Sequence, residues 1–146
     1  ERVVEERVVV FGQWPGVLRA VEAVLAQAAL PALSLVGRSL EGRLDALRRF
    51  GRPGEPRLLL LSSDTHASGI NLQCARHCVL VHPYCPDVRS VAALRSRSLD
   101  EARAYELQAI GRLRRFPQLR PVAVHRMYVR GTVEEDLLAS QGALDS

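Results

Sequence analysis

The sequence contains no lysine. All 20 of its cationic side chains other than histidine are arginine, set against 16 acidic residues for a formal charge of +4. With lysine missing, so is any phosphate-binding loop of the GxxxxGK type, and there is no DEAH-like acidic cluster to hold magnesium. Cysteine is scarce: Cys74, Cys78 and Cys85 form an odd set without a CxxC pair, which argues for reduced thiols in an intracellular setting. His66, His77 and His82 lie among them, but the spacing fits no standard pairing of zinc ligands, and Cys78 falls in an apolar run. Packed, uncharged side chains are therefore expected there, with no metal. Long apolar runs are absent too, since even Val17 to Leu30 carries Arg19 and Glu22, short of the roughly 18 uncharged residues a membrane span needs. There is no signal peptide. The first residue is Glu1 and not methionine, which suggests an excerpt or a processed chain.

What remains is a globular composition of 146 residues, 47% hydrophobic and 25% charged. That length is one domain's worth and can bury roughly two thirds of the surface its unfolded form exposes. Arginine suits bidentate grip on phosphate or carboxylate. Biased base composition in the coding DNA would also produce a lysine-free chain rich in Arg, Ala, Leu and Gly, so arginine position carries the argument and arginine number does not.

The pattern alternates strand and helix. "RVVVF" (7–11) predicts a buried strand ended by Gly12; Pro15 can open a helix that runs to Leu30, where Pro31 prevents further turns. "ALSLV" (32–36) is a second strand, "EGRLDALRRFG" (41–51) a helix, and "RLLLL" (57–61) a third strand. A short helical stretch near Asn71 to Ala75 follows, then "CVLV" (78–81). A long connection from Pro83 leads to a helix ending in "QAIGRLRR" (108–115), then "VAVHRMYV" (122–129) as a fifth strand and "TVEEDLLAS" (132–140) as a last helix. Such alternation predicts a parallel sheet with helices on both faces, whose loops at the carboxyl ends of the strands form the working edge. "FGQW" and the run Ser63 to Asn71 fall on that edge.

Within "QAIGRLRR", a helix of about 100° per residue would put Gln108, Arg112 and Arg115 on one stripe and Ala109, Ile110 and Leu113 toward the other side. Gly111 would lie on the polar side, where a missing side chain permits close approach. A solvated arginine face is the plain alternative.

The segments together bear a resemblance. "VVVFGQW" looks like helicase motif IV. "GRSLEGRLDALRRF" carries a glycine, arginine and phenylalanine at Gly37, Arg43 and Phe50. "LLLLSSDTHASGINLQCARHCVLVHP" resembles motif V and the strand after it, with Gly69, Asn71 and Leu72 in its glycine, asparagine and leucine slots. "QAIGRLRR" looks like motif VI, and "GTVEEDLL" like the closing helix. From about Val8 to Leu138 the chain resembles the second RecA-like lobe of a superfamily-two helicase motor of the Swi/Snf type. Its motif VI begins with Gln108 and Ala109, not with the histidine general in DEAD-box RNA helicases, which favours a duplex DNA translocase.

The resemblance implies an α/β, RecA-like three-layer domain spanning residues 1–146, working against an N-terminal RecA-like lobe of the same polypeptide that holds most of the ATP and Mg2+. It implies Arg115 as the arginine finger, Arg112 as its neighbour at the phosphates, Gln108, Gly111 and Gly69 at the nucleotide, and a nuclear protein with no membrane contact. Gln13, Trp14, Gly37, Arg38, Ser63, Thr65 and Asn71 become candidate contacts to the backbone of double-stranded DNA, although Trp14 equally suits packing and Asn71 a helix cap. Three features depart from the family pattern. Thr65, His66 and Ala67 replace a glycine-rich start of motif V, His82 an aspartate, and Pro117 a glycine. The connection from Pro83 to Gln108 is also long, and reads as an inserted helix, a DNA-facing element or a solvated insertion. A helicase-like lobe without hydrolysis, serving as a regulatory or nucleic-acid-binding module, and an unrelated doubly wound phosphate-binding domain are the competing classes.

Overall fold

Three consecutive valines stiffen the chain at χ1 and open the first strand, β1 (Val8–Gly12). The structure, a computed structural model, describes residues 6–63, 72–85, 94–114 and 120–141. Among them lie β1, α1 (Pro15–Gln27), β2 (Ala32–Ser34), α2 (Leu40–Phe50), β3 (Leu58–Ser62), β4 (His77–Leu80), α3 (Leu94–Ile110), β5 (Ala123–Arg126) and α4 (Val133–Ser140). The strands form one parallel sheet in the order β2-β3-β1-β4-β5. The α/β class and the parallel sheet are as expected.

Alternation along β1 sorts the core into two layers. Val9 and Phe11 face a larger cluster with Leu59, Leu61, Cys78 and Leu80, covered by Phe50 of α2 and by Tyr105 and Ala109 of α3. Val10 faces the other side with Leu60, under Leu18, Val21 and Leu25 of α1. Helices thus cover both faces, giving three layers. Full burial of a side chain such as Phe50 contributes about 1.5–3 kcal/mol, so the α2 face is set by a few residues.

Several boundaries differ from the expected ones. Helix α1 ends at Gln27 and not at Leu30, because Ala29 takes a left-handed φ of 56° and Leu30 N donates back to Leu25 O at 2.9 Å, a Schellman-type stop. Strand β2 stops at Ser34, whose hydroxyl accepts from Val36 N at 3.1 Å, although Leu35 N still donates to Leu60 O. The helical stretch expected near 71–75 is, in its described part, a single turn closed by Ala75 N donating to Leu72 O. Strand β5 covers only part of 122–129. Beyond it Met127 and Val129 are exposed at the sheet's edge, with one further bond from Met127 N to Leu80 O.

The long connection resolves differently from a separate inserted helix. From Leu94 it is the same helix, α3, that carries Gln108. At the chain's entry into the sheet, Arg7 is buried and clamps the far end of α2, donating from Nε to Phe50 O at 2.5 Å and from Nη2 to Arg52 O at 2.7 Å. These are carbonyls at and just past the helix's carboxyl end, where a cation is favoured.

Candidate nucleotide-facing and nucleic-acid-facing edge

All five strands run parallel, so the loops that follow Gly12, Ser34, Ser62, Leu80 and Arg126 gather at one edge. The register sets Gly12 beside Ser62 and Phe11 beside Leu80. Gln13, Trp14, Gly37, Arg38 and Ser63 all therefore share this edge. Thr65, Gly69, Asn71 and Arg115 lie outside the described residues, as does Pro117.

Among the residues brought together, some are already engaged. Gln13 uses both ends of its side-chain amide on one residue: Nε2 donates to Cys85 O at 2.7 Å and Oε1 accepts from Cys85 N at 3.0 Å. Ser63 closes the same turn, donating from Oγ to Gln13 O at 3.1 Å and from N to Gly12 O at 3.0 Å. In this state both side chains build the edge. Trp14, at 45% exposure, starts α1 without a side-chain cap and lays its ring on His82, centroids 4.9 Å apart and planes 21° from parallel. Gly37 sits at φ 67°, a conformation glycine supplies freely, with the Arg19 guanidinium close by; the exposed Arg38 follows, and Ser39 caps α2 by accepting from Gly42 N at 3.1 Å. This turn presents arginine beside a helix amino end, a setting suited to phosphate oxygens.

The arginine stretch corrects the helical-stripe expectation. Helix α3 ends at Ile110, and Gly111 to Arg114 form a turn, with Leu113 N and Arg114 N both donating to Ile110 O. Gln108 is exposed, whereas Arg112 retains only 8% exposure and Leu113 none. Gln108 and Arg112 do not share a polar face, because the backbone leaves helical geometry between them. A Cβ on Gly111 would lie 2.8 Å from Leu107 O, so the glycine is needed for the turn itself. Leu72 N donates to Arg112 O at 3.1 Å, joining the end of the motif V segment to the motif VI segment.

Electrostatics support packing over chemistry elsewhere. Burial pushes the Cys78 thiol up to about 12, with the nearby Glu106 carboxylate adding to it, so this sulfur stays protonated. Burial also raises the Tyr105 phenol. Glu106 grips Arg126 through two bonds of 2.7 Å and raises its pKa. At the opposite edge, Glu6 accepts from His77, which lowers the carboxyl's pKa, and His77 Nδ1 meets His125 Nε2 at 3.1 Å. Among the described residues no three His, Cys, Asp or Glu side chains converge as a metal site would need.

Sequence reasoning missed the place of His82. It noted the residue only as a departure from a pattern and as a neighbour of cysteines, yet His82 is buried at the centre of the edge. The one available signal was a polar side chain directly after an apolar strand.

A model of the helicase conserved C-terminal domain matches residues 1–117. Among curated proteins, the chain is 36% identical over 132 residues to the DNA (cytosine-5-)-methyltransferase DMT5 of Cryptococcus neoformans, covering 88% of this chain and 5% of that protein. It is 31% identical over 137 residues to the DNA repair protein rad8 of Schizosaccharomyces pombe, covering 93% and 11%. The ATP-dependent helicase ULS1 of Saccharomyces cerevisiae is 29% identical over 133 residues, at 89% and 7%. The chain thus spans a small fraction of the length of each. Among solved structures, the C-terminal part of the Fun30 ATPase domain superposes with a TM-score of 0.70 at 20% identity, covering 93% of this chain and 39% of that one. That likeness shows the fold to be RecA-like.

Proposed function

We infer a function from one premise: the chain belongs to the helicase C-terminal domain family and is the second RecA-like lobe of a Swi/Snf-type helicase. On this reading it is half of an ATP-dependent translocase on double-stranded DNA, of the repair or chromatin-remodelling kind, acting in the nucleus. The other half is an N-terminal RecA-like lobe that holds ATP and Mg2+, because a chain without lysine has no phosphate-loop lysine of its own.

The observation that carries the reading is the bond from Leu72 N to Arg112 O, which ties the two segments resembling motifs V and VI together across the fold. One segment faces DNA in such motors and the other faces nucleotide, so a rigid link between them supports a coupled role. Arg115 follows this anchored turn directly. It would set its guanidinium against the charge that develops as the γ-phosphate separates, a contribution of position and electrostatics. The buried Arg112 holds the turn from within, beside the phosphates, and the exposed Gln108 and the side-chain-free Gly111 line the approach to it. Bound ATP supplies the phosphoryl chemistry; this chain supplies only the opposing charge.

DNA contact falls to the carboxyl edge. Trp14, Gly37 and Arg38 present an exposed ring, a left-handed backbone and a cation, while Gln13 and Ser63 hold the loops in place. Thr65, Gly69 and Asn71 belong to the same connection as Ser63. Among the described residues this edge carries no base-reading helix, so the binding on this reading is blind to sequence.

The test is Arg115→Ala in the full-length polypeptide. ATP hydrolysis falls at least a hundredfold, a floor set below the roughly 10³–10⁵ that arginine fingers contribute, while DNA affinity stays within a few fold. Arg114→Ala, exposed at the turn, does much less. Equal effects from the two would remove the finger assignment. The replaced motif V glycines, Thr65 to Ala67, favour a second reading, a lobe that binds without hydrolysis; absence of DNA-stimulated hydrolysis in the full-length protein would select it.

A further inference from the structure

His82 stands where four groups meet. Its Nε2 lies 3.0 Å from Gln13 N, and its Nδ1 lies 2.8 Å from Pro83 O. One face of the ring stacks on Trp14, and Tyr105 of α3 lies nearly parallel at 6.4 Å, itself packed on Phe11 and Tyr84. The residue is 5% exposed.

The two hydrogen bonds fix the tautomer. A backbone N–H can only donate, so Nε2 facing Gln13 must carry a lone pair; a carbonyl oxygen can only accept, so Nδ1 facing Pro83 must carry the proton. The ring is therefore neutral. Protonated, it would aim a second N–H at the N–H of Gln13, and donor would meet donor.

We propose that His82 is a positioning residue for the DNA-facing edge: its neutral imidazole holds the β1–α1 turn, setting the Gln13 backbone and the Trp14 ring in the orientation that meets the nucleic-acid backbone. The proposal rests on the DNA-facing reading for its last step only. The first step, the hold on Gln13 and Trp14, concerns this chain alone. Pairing of Gln13 with Cys85 continues the same brace, so the turn is gripped by side chain from one direction and by backbone from the other. Among the described residues, the titratable groups around the ring are Tyr105, Tyr84 and Cys85, and burial moves Tyr105 further from neutral pH.

Trp14 is the sole tryptophan, so its emission reports on this contact without background. The experiment compares Trp14 emission of the chain and its variants at pH 7.5. In the parent, the emission is that of an indole held against an imidazole. His82→Gln, whose side-chain oxygen can still accept from Gln13 N–H, gives emission near the parent's. His82→Phe keeps a ring but loses the acceptor, and gives a shifted emission. Cys85→Ser and a His77→Gln, His125→Gln double variant retain the parental emission. Each is first checked for native circular dichroism.

DNA affinity on a fixed duplex at pH 7.5 is measured beside it. Loss of one orienting hydrogen bond weakens binding by about fivefold in His82→Phe, and His82→Gln restores it. Parental emission in His82→Phe, or emission shifted in the His77, His125 variant instead, would overturn the hold on Trp14. Parental DNA affinity in His82→Phe would overturn its role in positioning. If no duplex binds the parent chain, the DNA-facing reading fails, while the Trp14 emission still decides the hold.

Discussion

Gly111→Ala sets two effects of opposite sign against each other. In a helix interior the replacement gains about 1 kcal/mol from backbone propensity. Here the new Cβ would stand 2.8 Å from Leu107 O, several tenths of an ångström inside any relaxed contact. The oxygen cannot simply retreat, because it already accepts from Gly111 N at 2.8 Å. Nor can the turn swing away: Leu113 is fully buried in the main core, and Arg112 O is held by Leu72 N. Relieving such overpacking costs about 1–3 kcal/mol, so the net effect expected is a destabilisation of up to about 2 kcal/mol after the propensity gain is subtracted. Urea unfolding of the chain, followed by circular dichroism, reads this as a lower midpoint at constant slope. In the full-length protein, ATP hydrolysis should fall as the turn leading to Arg115 moves. A variant more stable than the parent by about 1 kcal/mol would mean that residue 111 is an ordinary helical position, and the account of the anchored turn would be refuted.

Ala29→Gly relieves a left-handed φ of 56° and should raise stability by about 0.5–1 kcal/mol, seen as a higher urea midpoint. Cys78 is an acid whose folded pKa is raised, from 9.0 to about 12, so its neutral form is favoured by folding. Its contribution is complete below pH 9 and is lost as pH rises toward 12; Cys78→Ala should flatten the alkaline limb of the stability profile. In the folded chain at pH 8, iodoacetamide should reach the exposed Cys74 well before Cys78, and mass spectrometry after limited labelling would show the reverse if β4 were loosely packed. Binding of the chain to two unrelated duplexes should agree within tenfold and weaken steeply with salt.

The sheet was legible because its central strands β1 and β3 are almost wholly apolar and the chain is punctuated by breakers, as β1 is by Gly12 and Pro15. Element ends were less so. Ala29 stops α1 by adopting a conformation that alanine's identity does not advertise, two residues before Pro31 would force the issue. In "QAIGRLRR" the periodicity of Ala109, Ile110 and Leu113 fits a helix and a tight turn equally well, since a turn closing on Ile110 O also buries Leu113. Tertiary contact with Leu72, 40 residues earlier in the chain, decides between them. The edge itself could be located from topology, but which of its polar groups brace and which face outward depends on partners distant in sequence, as Gln13 with Cys85 shows.

The Arg7 clamp bears on how the chain carries load. β1 is the middle strand, in register with β3 over five residues and with β4 over four, and Arg7 fastens the segment just ahead of it to the end of α2. A pull along the chain at Glu6 runs parallel to the strand, so it is met in shear by both ladders together and not by one bond at a time. Part of it is diverted through the guanidinium into the helix layer, where Phe50 is locked in the core. Force entering at this point is shared between sheet and helix, and the domain responds as one stiff body, as a lever must if a displacement at one side is to arrive undiminished at the other.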